Sequence, residues 1–190
     1  MNMELKNNVI KGIKEVIISK EEMHKRVKEL GKKISEDFKD KELVIIGVLK
    51  GSVIFFADLI REISTTVSID FISASSYGDA TTSSGVVTVK KDVDCDVKGK
   101  DVLLVEDIID TGLTLKYLKD LFEAREAKSV SICTALDKPS RRLKDINIEV
   151  QYVGFQIPDE FVVGYGLDYT EKYRNLPDIC ILSSEIYGGN

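Results

Sequence analysis

The stretch from Glu106 to Thr114, EDIIDTGLT, holds the chain's densest group of side chains able to do chemistry. Glu106 and Asp107 are adjacent carboxylates, Asp110 is a third, and Thr111 and Thr114 place hydroxyls on either side of Gly112. Carboxylates accept hydrogen bonds from hydroxyls, so an adjacent pair suits the vicinal diol of a sugar and repels a phosphate. Hydroxyls, turn N–H groups and the start of a helix do the reverse and form a nest for a phosphate. The field at a helix end is worth roughly 0.3–1 kcal/mol per charge, so hydrogen bonds must supply most of the grip. Together these residues read as a site for a sugar phosphate. A helix cap would explain Asp110 or Thr111 alone. It leaves unexplained three carboxylates after an apolar run, which are costly to desolvate without a partner.

The elements that must position them follow from periodicity. Val102 to Val105 is continuously apolar, as a strand buried on both faces requires, and Leu43 to Leu49 and Ser129 to Leu136 read the same way. Leu115, Leu118, Leu121 and Phe122 have helical spacing, so strand, helix and strand form a right-handed crossover in a parallel sheet. The fold class is therefore α/β. In such a sheet ligands bind beyond the carboxyl ends of the strands, where Glu106 to Thr114 lies.

Earlier in the chain, Met1 to Asn8 is a polar start and Ile13 to Ile18 a short strand. Ser19 and Glu22 form a capping box for a helix whose stripe is Met23, Val27, Leu30, Ile34 and Phe38. His24 lies off that stripe and reads as a surface residue. Lys50-Gly51-Ser52 follows the second strand and precedes a helix carrying Val53, Phe55, Phe56, Leu59 and Ile60. Val67 to Ala74 pairs with Val86 to Lys90 across a small, polar loop from Ser75 to Gly85. Pro139 halts regular structure after Asp137-Lys138, leaving Lys138 on a loop at the sheet's carboxyl edge. Val150 to Phe155 and Ile179 to Ser183 are further strands, and Glu185 to Asn190 a tail.

Composition narrows the class. A chain of 190 residues suits one domain, 1–190, with a formal net charge of −5 that offers no basic field for nucleic acid. Cys95, Cys133 and Cys180 lack any Cys-x-x-Cys pair, which argues against a zinc site or a disulfide framework. The N-terminal stretch lacks a secretory apolar core, and no apolar run approaches the ~20 residues that cross a bilayer, so no membrane partner and a cytoplasmic location are expected. There is no G-x-x-x-x-G-K-[ST] phosphate loop, and Gly164-x-Gly166 lacks the third glycine of a dinucleotide fingerprint.

VLLVEDIIDTGLTL resembles the phosphoribosyl diphosphate signature of the type I phosphoribosyltransferases, and its EDIIDTG core resembles their hypoxanthine-guanine branch. The resemblance runs through separate motifs from about Glu42 to Ser183. It implies a central, mostly parallel sheet flanked by helices, with a small hood subdomain built from N- and C-terminal segments. It further implies that Glu106, Asp107, Asp110, Thr111, Gly112, Leu113 and Thr114 hold the phosphoribosyl group, and that Lys50, Gly51, Ser52 and Arg174 hold pyrophosphate. Ser76 and Tyr77 would belong to a flexible loop that closes over the reacting centre. The purine would lie against Ile108, Lys138, Phe161, Val162 and Asp168, and Mg2+ near Glu106, Asp107 and Asp168. Lysine is a donor only, so Lys138 suits a 6-oxo group and not the amino group of adenine.

The reaction implied is transfer of a 5-phosphoribosyl group from phosphoribosyl diphosphate to N9 of a 6-oxopurine, with Asp110 receiving the N7 proton. A homodimer or homotetramer is implied as well. A transferase for xanthine or a pyrimidine, and a non-enzymatic sensor of phosphoribosyl diphosphate, are the competing readings. The chain departs from some members at Leu113, where they carry a basic residue.

Overall fold

The computed structural model describes residues 12–76 and 87–188. Its main sheet has six strands in the order β4-β3-β2-β5-β6-β7, built from β2 (Leu43–Leu49), β3 (Val67–Ser76), β4 (Val87–Lys91), β5 (Asp101–Ile109), β6 (Ser129–Asp137) and β7 (Tyr152–Gln156). All neighbours pair parallel except β4, which closes one edge antiparallel to β3. Side chains alternate faces along a strand, and this sheet buries both. Leu43, Ile45, Leu103 and Val105 pack in one core with α1 (Lys20–Asp37) and α2 (Val53–Glu62). Val44, Ile46, Val102 and Leu104 pack in another with α3 (Leu113–Ala124). That two-sided burial is why β2 and β5 are continuously apolar.

A second, three-stranded antiparallel sheet has the order β1-β9-β8, from β1 (Ile13–Ile18), β9 (Ile179–Leu182) and β8 (Val162–Val163). It pairs an early segment, β1, with a late one, β9. Ile18, Val162, Ile179 and Ile181 join the same apolar cluster as α1 and α2, so the small sheet is seated on the main core. The Ser19 capping box is formed, with the hydroxyl accepting from the Glu22 N–H at 3.2 Å. All five stripe residues of α1 and its end are buried, and His24 is exposed.

Several boundaries differ from the sequence reading. β5 continues past Val105 to Ile109, so Glu106 and Asp107 lie inside the strand and not beyond it. Glu106 faces Thr134 and Ile108 faces Leu136 on β6, whereas pairing with β2 stops at Gly47 and Val105. Ladder hydrogen bonds are made by the backbone, so one longer neighbour extends a strand beyond its apolar run. β7 begins at Tyr152, two positions later than expected, and the tail contains a short helix, α4 (Ser184–Tyr187). No helix among the described residues is long and apolar enough to cross a membrane.

Candidate active site

The carboxyl ends of β2 and β5 open onto a cavity of about 450 Å³. Its walls are the β2–α2 loop with Lys50 and Gly51, the acidic end of β5, the turn from Asp110 to Thr114, and Asp168 with Arg174. Residues predicted for three separate roles thus line one space.

At its floor, Glu106 is buried and Asp107 half-buried. The Asp107 N–H donates to Glu106 Oε1 at 3.2 Å, and the Ile108 N–H to Asp107 Oδ1 at 2.8 Å. Burial, and then the charge of Asp107 beside it, pushes the Glu106 carboxyl well above its ordinary value of 4.5; burial also raises Asp107. A raised carboxyl is a stability cost that sets in as pH rises past the unfolded-state value. Glu106→Gln is therefore expected to raise the melting temperature at pH 7–8, with the gain vanishing toward pH 4, while activity falls. Thermal melts across that range check it, and a variant no more stable than the parent at pH 8 would contradict it.

At the turn after β5, Gly112 is the residue before α3, and its φ of +87° is left-handed and costs glycine little. Gly112 has no side chain to cap the helix, and the first turn holds no acid, which leaves N–H groups of that turn open to an anion. The Leu113 N–H reaches Thr111 Oγ1 at 3.4 Å, and Thr111, Gly112 and Thr114 line the cavity. Leu113 is half-buried and outside those walls.

At the opposite end, Lys50 and Arg174 face the cavity from the β2–α2 loop and the loop after β8. The Arg174 guanidinium donates to Gly166 O at 2.8 Å and pairs with Asp168 Oδ1 at 2.8 Å. Ser52 is not brought to the cavity: it is fully buried, and its hydroxyl donates to Val48 O at 2.6 Å. Among the described residues no three His, Cys, Asp or Glu side chains form a metal-holding group. Glu106 with Asp107, and Asp168 by itself, are the sparse carboxylates a magnesium ion accepts when phosphate oxygens and water complete its shell.

The structure divides the residues expected around a base. Ile108 lines it, while Lys138, Phe161 and Val162 lie outside its walls. Lys138 is only 9% exposed, against the sequence expectation for a lysine flanked by Pro139 and two arginines. Its backbone N–H donates to Ile109 O at 3.0 Å, and its ammonium has no side-chain partner among the described residues. Val162 is buried in β8, opposite Ile181. Phe161 is 37% exposed, unlike a core residue, and stacks on Tyr187 with ring centres 4.8 Å apart. Ser76 ends β3; Tyr77 lies outside the described residues.

Comparison with known proteins places the chain in a family. The family model described as a phosphoribosyl transferase domain matches residues 17–170. The chain belongs to the phosphoribosyltransferase family. It falls in the hypoxanthine-guanine branch: it is 54% identical over 175 residues to the hypoxanthine-guanine phosphoribosyltransferase of Bacillus subtilis (strain 168), covering 92% of this chain and 96% of that one. A crystal structure of a hypoxanthine phosphoribosyltransferase from Staphylococcus aureus superposes with a TM-score of 0.89 at 48% identity, covering 98% of each chain. A Trypanosoma cruzi hypoxanthine phosphoribosyl transferase, studied for the role of its C-terminal region in oligomeric state and activity, gives 0.87 at 39% identity over 94% of this chain and 95% of that one.

Three residues of this phosphoribosyltransferase, none of them singled out from sequence, stand against residues that line the cavity. Arg141 Nε donates to Asp110 Oδ1 at 3.0 Å, and Asp159 Oδ1 lies 3.8 Å from the same nitrogen. Arg142 pairs with Asp137, and its Cδ and Nη1 stand 3.1 and 3.2 Å from where a Cβ on Gly112 would lie. Glu171 pairs with Lys50 at 3.0 Å and with Arg174 at 3.2 Å. Each is a charged residue among other charged residues, and only its partner across the fold distinguishes it from a solvated side chain.

Proposed function

We propose that this enzyme of purine salvage transfers the 5-phosphoribosyl group of phosphoribosyl diphosphate to N9 of hypoxanthine or guanine, giving IMP or GMP and pyrophosphate. The observation that carries this reading is one cavity with three chemically distinct parts: an acid pair of which Glu106 is buried and Asp107 half-buried, a helix start free of acids and a pair of cations. They suit the diol, the 5′-phosphate and the diphosphate of a single donor. The six-stranded body and the small sheet at its end act as one domain, 1–190, the small sheet serving as the hood over the base.

In this reading Glu106 and Asp107 accept hydrogen bonds from the ribose 2′- and 3′-hydroxyls, which compensates for the carboxylates' desolvation. The turn from Asp110 to Thr114 anchors the 5′-phosphate through N–H groups and hydroxyls. As the C1–O bond to diphosphate breaks, the ribose becomes electron-poor and the leaving group gains charge, which Lys50 and Arg174 stabilise. Asp168 and the diol-side acids Glu106 and Asp107 would hold magnesium, which would supply positive charge to the diphosphate. Phe161 stacks on the purine opposite Ile108, the Val162 backbone and Asp168 address its edge, and the Lys138 ammonium donates to O6. Asp110 takes the N7 proton, for which Arg141 must yield the carboxylate. The loop bearing Ser76 and Tyr77 excludes water from the cationic ribose. A cytoplasmic location and assembly into a homodimer or homotetramer belong to the same proposal, supported by cysteines that share no disulfide among the described residues and by the relatives described above.

The test is pyrophosphate release with phosphoribosyl diphosphate and magnesium, offering hypoxanthine, guanine, xanthine, adenine and uracil separately. Turnover is expected with hypoxanthine and guanine and not with adenine. Turnover with uracil alone would move the chain to a pyrimidine branch, and donor binding without turnover would make it a sensor.

A further inference from the structure

Lys50 and Arg174 are the cations assigned above to diphosphate, and the inference developed next rests on that assignment. They come from segments far apart in sequence, yet one carboxylate joins them. Glu171 Oε2 is 3.0 Å from Lys50 Nζ, and Glu171 Oε1 is 3.2 Å from Arg174 Nη2. Each oxygen of the carboxylate serves one cation. A bridging anion with two oxygens facing two cations is a minimal copy of the ligand those cations are meant to hold.

The backbone under Glu171 is specialised. Tyr169 and Lys172 exchange reciprocal N–H to O bonds of 3.1 and 3.0 Å, closing a tight turn with Thr170 and Glu171 at its tip. Both have left-handed φ, +49° and +63°, where glycine or asparagine is favoured. A β-branched Thr and a Glu are strained there, and such strain persists only when neighbours impose it. One such neighbour is Asp168, whose Oδ2 accepts the Glu171 N–H at 2.8 Å while Oδ1 holds Arg174. The turn thus fixes Glu171 relative to both Arg174 and the proposed metal-side carboxylate. The Lys50–Glu171 pair is 68% and 65% exposed, and pairs so exposed are weak, so an incoming diphosphate with several charges can displace it.

We propose that Glu171 is a positioning residue that occupies the diphosphate subsite in the free protein. It keeps Lys50 and Arg174 aimed at one point and is displaced by the donor's diphosphate. Its carboxylate therefore competes with pyrophosphate. That lowers affinity for the leaving group and favours its departure after transfer.

The test is calorimetric titration of magnesium pyrophosphate into the intact wild-type protein and into Glu171→Gln and Glu171→Ala, with melting temperatures recorded in parallel. Removing a single competing charge at this range predicts tighter binding by about 3- to 10-fold in both variants, shrinking as salt is raised, with melting temperature unchanged. A residue that merely braced the loop would give the opposite sign. Unchanged or weaker pyrophosphate binding in stably folded variants overturns the proposal. Arg174→Met tests the assignment beneath it: that variant should bind pyrophosphate at least tenfold more weakly. If it binds as the parent does, the subsite is elsewhere and the role of Glu171 falls with it.

Discussion

Asp110→Asn is expected to slow phosphoribosyl transfer by about 10²–10⁴-fold, the range in which a positioned proton acceptor contributes. The loss should fall on kcat, because the amide keeps the shape and hydrogen-bonding oxygen of the carboxylate but cannot take the N7 proton. Folding should be spared. Asp110 is 44% exposed, and its pair with Arg141 is a half-solvated contact worth about 0.2–1 kcal/mol, a shift of at most about 4 °C in a chain of this size. Steady-state kinetics with guanine, beside a thermal melt, separates the two effects. A kcat within threefold of the parent would remove Asp110 from proton transfer and leave it as the partner of Arg141.

The second large effect is expected at a residue with no side chain. A Cβ on Gly51 would lie 1.6 Å from Asp107 Oδ2 and 2.6 Å from its Cγ. On the other side of the loop, a Cβ on Gly166 would lie 2.0 Å from Gly51 O. The β2–α2 loop is therefore wedged between the acid pair and the 164–166 segment. In Gly51→Ala the half-buried Asp107 carboxylate must rotate away, since a side-chain end yields more readily than backbone. That displaces the proposed diol acceptor by an ångström or more, a misplacement able to cost about 10²-fold in rate. We expect kcat/KM for phosphoribosyl diphosphate to fall by about 10²-fold with the fold retained. Asp107→Ala supplies the control: if the clash is the cause, adding Gly51→Ala to that variant should cost much less than tenfold. Equal losses in both backgrounds would place the damage elsewhere in the loop.

The two predictions draw on different kinds of information. Asp110 stands out in the sequence only together with Glu106 and Asp107, because a helix cap would explain Asp-Thr-Gly alone but not three carboxylates after a buried strand. Gly51 stands in Lys-Gly-Ser, a pattern an ordinary helix start would share. What makes it indispensable is Asp107, which reaches it only because β2 and β5 are neighbours in the sheet.

By itself the sequence determined the alternation of strands and helices, the apolar faces of β2, β5 and α1, and the identity of the acidic and hydroxyl-bearing turn. These depend on residues close together in the chain, where burial and hydrogen bonding leave a period of two, a period of 3.6 or a continuous apolar run. Tertiary structure alone decided that Ser52 turns its hydroxyl inward, that Lys138 is buried, that β5 carries its acids within the ladder, and that Glu171 spans Lys50 and Arg174. Each is a relation between segments separated along the chain or a matter of which neighbour is longer. Charged residues leave no periodic trace of their partners, because an ion pair needs only proximity, and proximity is set by the order of strands in the sheet.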